Sequence, residues 1–412
     1  MADPAGIAAE TAEATPRYDD ITARFNTIIL SIGQMLGGAC STIVMTLGGI
    51  IGITLAPHPS WATVPITIFV LGQAVATLPA GIGMRHIGRR LGFMTGSLFA
   101  VAGGLVGTFA LLWGRFDLFL VATFLCGMFQ AHIQFYRFAA ADLASPSFQP
   151  KAISWVLIGG VAAAVLGPQL VIFSSELLAP VTFAGSFLTL SVVASLSFFL
   201  MMTLRGSRPV RQSASSGRRV SEILRQPRLI VAMACGMISY SMMSLVMTAA
   251  PIAMLACNYG VADAALAIQW HAIAMFAPSF VTGNLIARFG KEQVTAAGMV
   301  ILAGCGVVAL SGIEIAHFWG ALILLGLGWN FSFVGATSMV TDCYRPEERN
   351  KVQSVNDFAV FGSVALASFM SGRLMSAFGW ETVNFVVFPM VAIALVLIGW
   401  LIVHGRRQAS AS

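Results

Sequence analysis

Two ladders of polar side chains run through otherwise apolar sequence. Thr27, Ser31, Gln34, Gly38 and Ser41 follow one another at intervals of four, three, four and three, and Thr123, Gly127, Gln130, Gln134 and Arg137 repeat those intervals. Such spacing puts each set on one face of an α-helix. Hydroxyls and primary amides donate and accept hydrogen bonds without breaking covalent bonds, so the chemistry on offer is recognition of a polar molecule. Farther along stand Tyr240 with Ser241, Ser244 and Thr248, then Trp329 with Asn330, Ser332 and Thr337. A flat ring can stack on Tyr or Trp while amides match its donors and acceptors. The candidate solute ligands are therefore Ser31, Gln34, Gln130, Gln134, Tyr240, Trp329 and Asn330. The same ladders also fit helix–helix seams held by amide hydrogen bonds. Met237, Met243 and Met247 beside Tyr240 are equally core fillers.

His132 and His271 lie inside apolar runs and are the candidate proton carriers, since imidazole titrates near neutral pH. A satisfied structural histidine is the commoner use of such a residue. Asp142, Asp342 and Asp357 fall at the ends of apolar runs, where each could pair with Arg137, Arg345 or Arg349 and hold a gate shut; Asp357, within Asn356-Asp-Phe358, is the first choice. An ion pair that breaks in every cycle fits the modest worth of exposed pairs, about 0–1 kcal/mol. No Ser/His/Asp set, HExxH, nucleotide loop or paired-carboxylate site is present. Six cysteines stand singly, with no CxxC and no metal-like spacing, so neither a disulfide framework nor a metal or other cofactor is expected.

These side chains must be positioned by helices in lipid. Of the 412 residues, 57% are apolar and 10% charged, and the mean hydropathy is +0.84. Soluble domains carry about 25% charged residues. Too little polar surface exists to solvate this chain, and 41 glycines suit closely packed membrane helices. A crossing needs about 20 apolar residues. Twelve stretches qualify: 25–55, 63–84, 91–113, 116–140, 151–174, 182–204, 230–256, 263–287, 293–313, 317–341, 353–377 and 381–404. The expected organisation is a polar tail over 1–24, a six-helix bundle over 25–204, a basic linker over 205–229, a second bundle over 230–404 and a short tail over 405–412.

Basic residues gather in alternate connections. Arg85, Arg89, Arg90, Lys151, Arg288, Lys291, Arg345, Arg349, Lys351, Arg406 and Arg407 share one side with the tail and with seven arginines between Arg205 and Arg228, while Arg115 and Arg373 lie opposite. Basic loops stay cytoplasmic, so both termini are expected inside. A net charge of +6 distributed this way argues against nucleic-acid binding.

The halves repeat. Gly81-Ile-Gly-Met-Arg-His-Ile-Gly88-Arg89-Arg90 follows the second stretch, and Gly283-Asn-Leu-Ile-Ala-Arg-Phe-Gly290-Lys follows the eighth. Gln130 matches Asn330, Asp142 matches Asp342, Pro146 matches Pro346, Lys151 matches Lys351 and Ser154 matches Ser354 at a constant offset. Parallel repeats enclosing a mid-membrane site are a transporter layout. With the central basic loop, these elements resemble the major facilitator superfamily over residues 25–404. The resemblance implies an all-α membrane protein of twelve helices in two pseudo-symmetric six-helix bundles. It also implies a cavity lined by helices 1, 4, 7 and 10, and gate elements at Gly81, Gly88, Arg89, Arg90, Gly283 and Gly290. Arg85 and Ala287 occupy the family's acidic position, which removes that latch. Gly159-Gly160 through Gly167-Pro168 resembles an antiporter signature without its later paired glycines, and Thr123 stands where proton-coupled drug exporters carry an arginine. The stretch Cys343–Trp380 is similar to a group of proteobacterial permeases that includes riboflavin uptake permeases.

The resulting expectation is a multi-pass secondary transporter of the bacterial inner membrane. It works as a monomer in the bilayer and takes up a small, polar, aromatic solute such as riboflavin by alternating access. A proton-coupled exporter of drugs or metabolites is the alternative, and a non-transporting receptor or scaffold a third.

Overall fold

The computed structural model describes residues 19–141, 144–145, 148–206, 217–345 and 348–409, the side chains at 85, 150, 349, 350 and 404–409 aside. Helix 1 spans Asp20–Leu55. It starts five residues before the apolar pattern does because Asp19 caps it, accepting a 3.0 Å bond from Thr22 N. Asp20 then ties this start to the connection after helix 4 by accepting from Ser145 N at 2.8 Å and Ser145 Oγ at 2.9 Å. Of the expected tail over 1–24, residues 20–24 belong to helix 1 and 1–18 lie outside the described residues.

Helices 2 and 3 are the two arms of one element, Val64–Leu112, turned at Gly88, whose φ of 83° a side chain would resist. The matching bend between helix 8 and helix 9 is Gly290, at φ 94°. The repeated glycines of the sequence are thus equivalent sharp bends at the basic end of the two halves. Helix 4 runs Phe116–Ile133 and resumes at Tyr136–Ala141. Helices 5, 6 and 7 are Gln149–Ser174, Ala184–Met201 and Pro227–Ala256. Helix 8 comprises Val261–Phe276 and Ser279–Phe289, bent by 40° where Pro278 interrupts the hydrogen-bond ladder. Helices 9 and 10 are Lys291–Leu310 and Ile315–Thr341.

The last apolar segment, Lys351–Val403, has 53 residues. At 1.5 Å per residue that is about 80 Å, more than twice a hydrocarbon core. Gly379 (φ 79°) divides it into helix 11, from Arg349, and helix 12, which resumes at Val387 after a break and runs to Ala409. Among the described residues the crossings therefore number twelve, as the apolar pattern predicts. Phe173, Val396 and Phe199 are among many large apolar side chains left facing outward, the surface that lipid requires.

Each set of six helices has its own core. Leu30, Phe69, Phe93, Phe129 and Phe187 belong to the first, and Val246, Leu302, Phe318, Leu325 and Val383 to the second. Backbones meet where side chains are absent: a Cβ on Gly127 in helix 4 would stand 2.0 Å from Phe69 O in helix 2. Val360, Val364 and Ala365 of helix 11 pack into the first core, joining the halves.

At the basic end Asp342 and Arg228 find their ion-pair partners inside the second half. Asp342 accepts from Lys291 Nζ at 2.5 Å and Arg228 Nη2 at 3.1 Å, and Arg228 also reaches Glu292 at 2.6 Å. The sequence offers Asp342 a gate partner in Arg137, Arg345 or Arg349; its partners in the structure come instead from helices 7 and 9 of its own bundle. Asp142 lies outside the described residues, as does the side chain of Arg349. Glu348, fully buried, accepts from Arg218 N, Nε and Nη2 at 2.9, 2.8 and 2.7 Å and from Arg345 N at 3.0 Å.

The Arg218 bonds hold the Glu348 carboxyl well below the usual carboxylate range. A depressed carboxylate stabilises the fold above its unfolded pKa, about 4.3, and loses that contribution as pH falls toward the folded value. Thermal melts in detergent should therefore find the gap between wild type and Glu348→Gln widest near about pH 7 and narrowing below about pH 4. A gap independent of pH would contradict this pairing.

Candidate functional site

Depth is the first test of the ladders. Measured from the basic ends of their helices at 1.5 Å per residue, Gln34, Gln130, Tyr240, Trp329 and Phe361 all lie about 16–21 Å in, close to mid-membrane. Helices from both halves thus bring amides and aromatic rings to one level.

The first half supplies the polar wall. Gln130 is half-buried, and its Oε1 accepts from Ser41 Oγ of helix 1 at 2.6 Å, so two ladder residues hold each other. Ser31 Oγ donates to Thr27 O of its own helix at 2.7 Å. Gln34 and Gln134 are half-buried, and among the described residues neither amide has a hydrogen-bond partner. Gln134 sits at the break in helix 4.

The second half supplies the aromatic wall. Tyr240 meets Trp329, Phe333 and Phe361 edge-to-face at centroid distances of 5.2, 5.1 and 6.0 Å, while Trp329 and Phe333 stack at 5.1 Å with planes 14° apart. Tyr240 and Phe333 each border both cores, which places this cluster at the seam. Trp329 is buried, and its indole N–H has no partner among the described residues. Phe333 and Phe361 were not candidates in the sequence. The spacing of Phe333 four residues after Trp329 was a legible signal; the arrival of Phe361 from helix 11 was not, because periodicity says nothing of which helices adjoin.

Asn330 is placed differently. Fully buried, it accepts from Thr282 Oγ1 at 2.6 Å and donates to Met275 O at 2.6 Å and Ser279 Oγ at 2.7 Å. It spans the Pro278 bend, supplying hydrogen bonds to the backbone that the bend disturbs. Both of its polar functions are engaged there. His132 Nδ1 donates to Met128 O at 2.8 Å and its ring lies against Phe99 and Gly96 of helix 3, away from helix 1. His271 is fully buried between helices 8 and 10, with Nδ1 donating to Leu322 O at 2.8 Å and Nε2 without a partner among the described residues.

Toward the basic end Arg137 is exposed, its guanidinium 4.9 Å from the Phe138 ring. It acts electrostatically on Asp357 of helix 11, which also accepts from Asn356 Nδ2 at 3.2 Å. These two charges belong to opposite halves. Gly81 precedes the Gly88 bend and packs near Phe135, Arg89 and Arg90 follow it, and Gly283 has open space around it. At the far end the halves touch directly. Gly372 N donates to Thr63 Oγ1 at 3.1 Å, Gln169 Nε2 donates to Gln269 Oε1 at 3.0 Å, and Gly49 packs on Ile252. Beside this contact lies a cleft of about 420 Å³ lined by Ile53, Pro59, Ala62, Ile252, Leu255 and Met375. With a lining so largely apolar, Ser376 its one side-chain hydroxyl, it offers little to orient a polar solute.

A profile described as the Major Facilitator Superfamily matches residues 29–244 and 232–412. The riboflavin transporter RfnT of Brucella anthropi is 48% identical over 382 residues, covering 92% of this chain and 96% of that one. An uncharacterized MFS-type transporter of Bacillus subtilis, YddS, is 27% identical over 366 residues, 84% of each chain. Among solved structures, a mutant of the nucleoside transporter NupG superposes with a TM-score of 0.68 at 14% identity, over 90% of this chain and 98% of that one. At that identity the likeness is one of fold.

Proposed function

The chain belongs to the Major Facilitator Superfamily, and from that premise we propose that this secondary transporter carries riboflavin into the cell. The observation that carries the proposal is the 48% identity with a riboflavin transporter along nearly the whole of both chains. The mid-membrane site fits the solute. Riboflavin is a flat tricyclic ring with a polar imide edge and a chain of hydroxyls. Tyr240, Trp329, Phe333 and Phe361 offer it ring faces and edges, and Gln34, Gln130 and Gln134 offer amides.

In this reading the basic end is cytoplasmic, both termini lie inside, and the protein works as a monomer in the inner membrane. Transport makes and breaks no covalent bond, so no enzymatic activity is assigned. The halves rock about the bound solute. The hydrogen bonds at the far end support an inward-facing state. Arg137 and Asp357 would approach as the cytoplasmic end closes and part as it opens, at a cost of about 0–1 kcal/mol for a partly exposed pair. Asn330 has no place among the solute ligands here, and His132 and His271 none in proton coupling. A drug-exporting role is not favoured.

The test is uptake of labelled riboflavin by a riboflavin auxotroph lacking other routes. Expression of the protein should restore both accumulation and growth on low external riboflavin. Equal accumulation with and without it would remove the substrate assignment.

A further inference from the structure

Gln34 is half-buried at mid-membrane, and its amide has no hydrogen-bond partner among the described residues. An unsatisfied amide at that depth is costly unless water or a ligand completes it. Its surroundings are specific. A Cβ on Gly159 of helix 5 would stand 2.1 Å from Ser31 O and 3.1 Å from Gln34 Cβ. Helices 1 and 5 therefore touch backbone to backbone and press Gln34 toward the seam. A Cβ on Gly160 would stand 4.0 Å from Gln34 Nε2 and 3.8 Å from Cδ1 of Phe276, which belongs to helix 8 in the other half. The missing side chain of Gly160 thus leaves a niche with an amide on one wall and an aromatic ring on another.

We propose that this niche reads the imide edge of the solute's ring, an inference that rests on the riboflavin assignment. An imide presents one N–H between two carbonyls, and a primary amide is its complement. Gln34 Oε1 accepts from the ring N3–H, and Nε2 donates to an adjacent carbonyl. The pair of parallel bonds fixes the ring's orientation and leaves its apolar end for the aromatic wall around Tyr240. Gln130 is less suited to this task because its Oε1 already receives Ser41 Oγ. A site built around such bonds rejects an analogue that cannot make them far more strongly than an apolar pocket does.

The test compares uptake kinetics of riboflavin and N3-methylriboflavin, normalised to transporter in the membrane, for wild type, Gln34→Leu and Gly160→Ala. The alanine fits at ordinary contact distances yet occupies the niche, so it keeps the test open should the leucine variant fail to fold. Wild type should show a KM for the methylated flavin at least about tenfold above that for riboflavin. Each variant should raise the riboflavin KM about tenfold with maximal rate within about twofold, while the methylated flavin shifts less than about threefold. Wild type that carries both flavins equally, or variants that keep full discrimination, would overturn the inference and leave the riboflavin assignment standing. Wild type that takes up neither flavin would overturn the assignment and the imide reading together.

Discussion

Gly372→Ala should pry the far end apart and cut riboflavin uptake at least about tenfold, because the new methyl group has nowhere to go. Its Cβ would stand 2.3 Å from Thr63 Oγ1 and 3.1 Å from Thr63 Cβ. Thr63 is fully buried at the start of helix 2, and its branched side chain has few rotamers to escape into. The contact joins opposite halves, so the easiest relief is separation of the halves themselves, along the path that transport must follow. Overpacking of this kind costs about 1–3 kcal/mol, enough to shift a two-state balance by about five- to 150-fold. Cys257 provides a native reporter. It follows directly on the cleft residues Leu255 and Ala256 and is partly exposed, whereas the five other cysteines are buried. Faster labelling of Cys257 by a membrane-impermeant maleimide should accompany the loss of uptake. Adding Thr63→Ala, which removes the atom 2.3 Å away, should restore much of both readouts. Normal uptake by Gly372→Ala with unchanged Cys257 labelling would mean that the methyl group is absorbed locally and does not separate the halves.

Much of the fold was written in the spacing of apolar residues and glycines. The twelve runs foretell the crossings because hydrocarbon penalises every unsatisfied polar backbone group, and the paired Gly88 and Gly290 mark matching bends in the two halves because only glycine rests easily at positive φ. The breaks were less legible. Helix 8 bends at Pro278, which a sequence reader can flag, but helix 4 interrupts itself at Gln134–Phe135, where neither residue is a breaker. The site was half legible. Amide spacing put Gln34 and Gln130 on helices 1 and 4, and Tyr240 and Trp329 stand on helices 7 and 10, all near mid-membrane. What periodicity does not encode is the rotation of one helix against its neighbour. That rotation turns Asn330, the repeat mate of Gln130, into the staple of the helix 8 bend, and it gives Asp342 to Lys291 and Arg228 instead of to the opposite half. Charge pairs are chosen by packing, which the spacing of residues along one helix does not encode.

The aromatic wall leads to the second large effect. Tyr240 is the hub of the cluster: its ring touches Trp329, Phe333 and Phe361 edge-on, and it borders both cores at the seam. A tricyclic ring entering here gains stacking worth about 1–3 kcal/mol per ring face and edge contacts worth about 0.5–1.5 kcal/mol each. Tyr240→Ala removes the hub and lets Phe333 and Phe361 collapse into the vacancy, so the riboflavin KM should rise about ten- to hundredfold. Tyr240→Phe keeps the ring and should stay within about threefold, which separates the aromatic contribution from that of the hydroxyl. Because the loss falls on binding shared by every state of the cycle, the maximal rate should change far less than KM. Cells carrying Tyr240→Ala should then recover full uptake when external riboflavin is raised in proportion. A variant whose maximal rate collapses while KM holds would place Tyr240 in the moving seam and not against the solute.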